Sequence, residues 1–127
     1  MPWFPLRVPS RLRPHYLAEL RAATAAQQQQ DPARARHHLE RAHVLGQRWA
    51  LSHTHVHGRL LAWGLRNGSF CEVAGQLPRL AFGFVGSLIG RVPVGNTGGA
   101  DVPAEQPMPI APDLQALLAL VVTARPR

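Results

Sequence analysis

Lysine is absent from this chain: all 14 basic residues are arginines, set against 7 acidic residues for a formal charge of +7. A field of that sign attracts phosphates, anionic lipid or acidic proteins. The arginines are spread from Arg7 to Arg127 without a run, and at 6% aromatic content no rings interleave with them as a base-stacking platform. Nucleic-acid binding is therefore disfavoured, and the bias reads as a solubility feature. Cysteine is nearly missing as well. Cys71 stands alone, which excludes an internal disulfide, implies no oxidising compartment and makes the cytoplasm the expected location. It is expected to be a small buried residue rather than a soft metal ligand. There is also no long hydrophobic run. The longest, Leu80 to Ile89, is interrupted by Gly83, Gly86 and Ser87, about half the ~20 residues that a membrane-spanning helix needs. The start, Met1 to Arg13, carries three prolines and no signal-peptide core. No span is expected, although contact with a membrane surface stays open.

What is present suits one small domain. At 127 residues and 46% apolar content the chain can bury a single core, while 12 prolines and 11 glycines imply long irregular segments. Residues 1–13 read as an irregular N-terminal arm, anchored by Trp3 and Phe4. From Pro14, Tyr16, Leu17, Leu20 and Ala23 recur at helical spacing, and the helix runs into Gln27 to Gln30 as a last turn or a frayed linker. Asp31-Pro32 is the strongest helix start in the chain, a capping carboxylate followed by proline where a missing amide proton costs nothing. An apolar stripe of Ala35, Leu39, Ala42, Leu45 and Trp49 follows and resumes at Val56, Leu60 and Trp63 before Asn67-Gly68 ends it. Either one helix spans 32–66, or two helices pack as a hairpin with a turn near 50–52, Gly46 and Ser52 being the natural breaks. Ser69 to Glu72 has the capping-box pattern and starts a helix at 70, which Pro78 should kink or restart. Residues 91–112 are a loop and then a Pro-rich linker, and residues 113–124 form a short closing helix. The fold expected is all-α: a single domain of three to four helices over 14–102, a bundle or hairpin, with 103–127 as linker and C-terminal helix. Its core is expected to comprise Leu39, Trp49, Leu60, Trp63, Phe70, Leu77 and Phe84.

Chemistry concentrates in one place. Six of the 7 histidines lie at His37, His38, His43, His53, His55 and His57, and imidazole is the commonest side-chain ligand of transition metals. On a helical wheel His43, His53 and His57 fall on the apolar side, His38 borders it, and His37 and His55 point outward. Two imidazoles four residues apart, as at His53 and His57, can reach one ion. Glu40 stands three residues before His43, the Glu-x-x-His spacing by which helix bundles supply a di-iron or di-manganese centre. Such a centre needs a second motif and two further glutamates, and only Glu19 and Glu72 are at hand. A mononuclear site fits better: His43, His53 and His57 on zinc or iron, with Glu40 as fourth ligand or general base. Each histidine could instead be an ordinary core or surface residue, but three on one apolar side are costly to satisfy without a common partner. An enzyme using metal-activated water and a non-catalytic sequestering or sensing protein are both compatible with this set.

The second feature is the loop Gly95-Asn96-Thr97-Gly98-Gly99, which has neither the lysine of a P-loop nor a strand before it and is expected to be a structural turn, with Asp101 as a cap or an oxygen ligand. No Ser-His-Asp or Cys-His arrangement is present to argue from. The segment Leu39 to Leu114 carries Leu-Glu-Arg-Ala-His at 39–43, His-Thr-His-Val-His at 53–57, the 95–99 loop and Pro-Met-Pro-Ile at 107–110. In these it resembles a family of small bacterial proteins catalogued as a domain of unknown function. The resemblance implies a bacterial source and joins the histidines and the loop in one unit, but implies no activity. The rival reading is an interaction module, because helices 32–49 and 53–66 resemble a tetratricopeptide-type hairpin that would bind a protein partner or form a homodimer. Such arrays need about three repeats, and one is visible.

Overall fold

The structure is a computed structural model that describes residues 6–122; Trp3 and Phe4, the expected anchors of the arm, lie outside the described residues. Five helices and no strand form one packed bundle among the described residues: α1 (Arg13–Gln28), α2 (Pro32–Gly46), α3 (Ala50–Arg66), α4 (Phe70–Leu88) and α5 (Pro112–Val122). The 32–66 stretch divides at residues 47–49, so the helical region carries four helices, the upper of the two numbers expected, and residues 112–122 form the expected closing helix. α1 packs on α2, α2 on α3, α3 on α4, and α5 on α2.

Local chemistry accounts for most boundaries. Asp31 caps α2, its Oδ1 accepting from the Arg34 amide at 3.1 Å. The glutamine tract is the last turn of α1 followed by a stop, with Gln30 at φ 59° and the Asp31 amide bonded back to the Ala26 carbonyl at 2.9 Å, the six-to-one bond of a Schellman end. Ser69 caps α4 through the Glu72 amide at 3.3 Å. The reciprocal half of the capping box is missing, since the Glu72 carboxylate turns inward instead. α4 continues through Pro78 without a restart.

The core joins Val8, Leu12, Tyr16 and Leu20 to Leu39, Leu45, Trp49, Val56, Leu60 and Leu114, with Trp63 partly buried against it. Residues of the N-terminal segment are thus built in: Val8 donates its amide to Ser52 Oγ at 3.0 Å and the Leu6 carbonyl accepts from the Leu51 amide at 2.9 Å. The expectation fails on α4. Phe70 is 85% exposed and Leu77 56% exposed, Phe84 is half-buried, and the fully buried residues of the helix are Glu72, Gln76 and Ser87. α4 turns its polar stripe inward because that stripe serves the histidines described next. Cys71, expected to be buried, is exposed at the start of the same helix.

Candidate metal centre

His43 comes from the last turn of α2, and His53 and His57 from successive turns of α3. The break at 47–49 brings them together. In one continuous helix ten residues span about 15 Å of axis, whereas His43 Nε2 lies 2.9 Å from His53 Nε2 and 3.1 Å from His57 Nε2, and the last two are 2.9 Å apart. All three side chains are buried, 2 to 5% exposed, and they form the His43/His53/His57 group whose ligand atoms converge closely enough to hold a metal ion.

The other nitrogen of each ring decides what those contacts are. His43 Nδ1 meets the Asn96 carbonyl at 2.7 Å, an acceptor, so this nitrogen carries the proton. His53 Nδ1 meets Ser87 Oγ at 2.7 Å, and the Ser87 hydroxyl is committed as donor to the Gln47 carbonyl at 2.7 Å, so Oγ accepts from the ring. His57 Nδ1 meets Gln76 Oε1 at 2.7 Å. The Gln76 amide is oriented by its Nε2, which donates to Glu72 Oε1 at 2.7 Å and to the Gly98 carbonyl at 2.8 Å. All three Nδ1 atoms are therefore donors, and in neutral rings all three Nε2 atoms present lone pairs to one another. Contacts of about 3 Å between lone pairs are repulsive, and a cation between them removes the repulsion. Protonation is the other remedy, and burial opposes it. Burial first, and then the neighbouring rings, hold His43 well below the ordinary imidazole range and push His53 down to about 3. Burial likewise pushes His57 down to about 4 against the pull of Gln76.

A wider frame holds these supports. Glu72, 2% exposed, accepts from the Ala100 amide at 3.2 Å and pairs with Arg36 at 2.9 Å. Asn96 accepts from the Gly98 amide at 2.8 Å, closing the turn, and its side-chain amide donates to the Pro103 and Gln106 carbonyls at 2.9 and 2.8 Å. The 95–99 loop is thus the structural turn expected, and it holds His43 in place. At Gly98, φ is 81° and a Cβ would overlap the His43 ring; at Gly83 on α4, a Cβ would sit 3.2 Å from His53 Cε1 and 3.5 Å from His57 Nε2. Backbone without side chains lies against the nitrogens there, leaving a cavity of about 700 Å³ on that side.

The remaining candidates lie elsewhere. Glu40 pairs with Arg36 at 3.1 Å, and burial pushes its carboxyl up against that pull; it is outside the group formed by His43, His53 and His57. Asp101 also takes Arg36, at 2.8 Å, and the same guanidinium lies over the Trp63 ring at 5.1 Å. His38 meets Glu19 at 2.7 Å, while His37 and His55 face solvent. From the sequence, Gln76, Ser87 and Gln47 carry no expected role beside the histidines, and Asn96 counts only as part of the glycine loop. A signal for two of them existed: Glu72, Gln76 and Ser87 recur at intervals of 4 and 11, one face of a helix otherwise nearly free of polar groups.

Residues 10–118 match the family model described as "Protein of unknown function (DUF3703)". The chain belongs to that family. The matched stretch takes in the histidines and the Asn96 turn described above. No curated protein and no solved structure matches the chain.

Proposed function

We propose that the protein binds a divalent transition metal through Nε2 of His43, His53 and His57, with zinc favoured over iron and the fourth position exchangeable. The observation that carries this reading is the set of three Nδ1 donor bonds, to Asn96, Ser87 and Gln76, which leaves three lone pairs facing one point. The donor set fits the group. Zn–N bonds of about 2.0–2.1 Å in tetrahedral geometry require nitrogens roughly 3.3 Å apart, so the rings need open only by a few tenths of an ångström. Hydrogen-bonded outer partners of this kind fix the tautomer and the ring orientation of ligating histidines. Three imidazoles with no carboxylate match the three-histidine zinc pattern better than the two-histidine, one-carboxylate set of non-haem iron. Glu40, committed to Arg36, is not needed as a ligand. A zinc ion held this way supplies Lewis acidity and water activation; a storage or sensing role would use the same ligands.

Elemental analysis of protein purified without chelator tests the reading. About one zinc per chain is expected, falling to background in a His53→Ala/His57→Ala double variant that keeps its helical circular dichroism. Metal-free protein that takes up no zinc on titration refutes it and favours the interaction-module reading, which does not call on the histidines.

A further inference from the structure

Resting on the metal reading above, we propose that the cavity beside the three histidines binds small amphipathic anions, an oxyanion head on an apolar body, with the head taking the fourth metal position. All three histidines line this cavity of about 700 Å³, within the range of small-molecule sites. Gly83 and Gly98 keep side chains away from the Nε2 atoms on the approach, so a ligand entering the cavity can reach the ion.

The charge of the lining sets the sign of the guest. Three neutral imidazoles leave the charge of a divalent ion uncompensated. Arg79 and Arg91 also line the cavity, against the single carboxylate of Glu105. Arg79 is committed, donating to the Gly75 and Val102 carbonyls at 2.8 and 2.9 Å, and acts as a fixed charge. The exposed Arg91 guanidinium makes no hydrogen bond or ion pair among the described residues and can close on an anion as a bidentate donor. Apart from Asn96, whose side-chain amide is committed to the Pro103 and Gln106 carbonyls, the rest of the wall is apolar or glycine backbone, with Phe82, Val92, Pro93 and Pro107 prominent. Phosphate or carbonate alone would leave that wall unused, and an apolar body attached to a carboxylate would cover it.

Full-length protein stripped of metal and reloaded with cobalt(II), whose visible bands report changes at the ion, is titrated with acetate, benzoate and inorganic phosphate. Benzoate is expected to shift the bands saturably and at least about tenfold more tightly than acetate, the apolar body supplying the difference. Arg91→Gln should weaken benzoate about tenfold through loss of a charge-assisted pair, with cobalt uptake unchanged. If cobalt forms no stoichiometric coloured complex, the metal reading itself fails and this inference falls with it. If cobalt binds but none of the three anions alters the spectrum, or phosphate outcompetes benzoate, the metal reading stands and this inference is overturned.

Discussion

Tyr16 is held between α1 and the start of α3, its hydroxyl donating to the Ser52 carbonyl at 2.8 Å, and burial pushes its phenol up to about 12 against the pull of Ser52 and Arg59. A folded value raised above the unfolded value of about 10 means that the native state keeps a proton the unfolded chain gives up. The associated stability is complete below pH 10 and is lost as pH rises towards 12, about 2–3 kcal/mol over the full window. Urea unfolding at pH 9 and pH 11 should show this loss. Tyr16→Phe should be weaker at pH 9 by about 1 kcal/mol for the lost hydrogen bond, and should lack that part of the pH dependence; an equal loss in the variant would refute the assignment. Gln30 offers a second case. It occupies the left-handed region that ends α1, where a side chain costs about 1 kcal/mol relative to glycine. Gln30→Gly should therefore raise the midpoint of thermal unfolding by a few degrees, readable by scanning calorimetry.

Each helix reports how far periodicity can be trusted. α2 was legible because Asp31-Pro32 is a purely local signal, and the stripe Ala35, Leu39, Ala42 and Leu45 is buried as its spacing requires. α4 reverses the usual pattern. Apolar residues at Phe70 and Leu77 imply an inward face, yet the helix rolls Glu72, Gln76 and Ser87 inward and leaves Phe70 and Leu77 exposed. The buried polar groups are all hydrogen-bonded, which removes the desolvation penalty that would otherwise forbid that orientation. Phe70→Ala should accordingly change stability by no more than about 0.5 kcal/mol, whereas Leu60→Ala, in the fully buried core, should cost about 2–5 kcal/mol. Parallel denaturant melts decide this, and comparable losses would mean that α4 faces the other way in solution.

Across the whole molecule, α2, α3, α4 and the 95–99 loop converge on the histidines, so an ion placed there ties together segments distant in sequence. Metal bound by the native state and not by the unfolded chain stabilises by mass action, about 2.7 kcal/mol at a free concentration one hundred times the dissociation constant. Zinc should thus raise the melting temperature of metal-free protein by several degrees or more, and a chelator should reverse it; no shift at saturating zinc would count against the site. No helix among the described residues is long and apolar enough to cross a membrane.

His53 and His57 were readable as a pair because a spacing of four residues fixes two side chains on one face wherever the helix sits. So were the helix starts at Asp31 and Ser69, since a cap needs only its own first turn. The convergence of His43 with that pair was settled by the tertiary structure alone, because the chain reverses at 47–49 and replaces distance along an axis by contact between helices. The same holds for the Asn96, Ser87 and Gln76 supports, which bond across 53, 34 and 19 residues of sequence. Hydrogen bonds over such separations depend on where whole elements pack: a local pattern can set Gln76 and Ser87 on one face of α4 but cannot name the rings they bond.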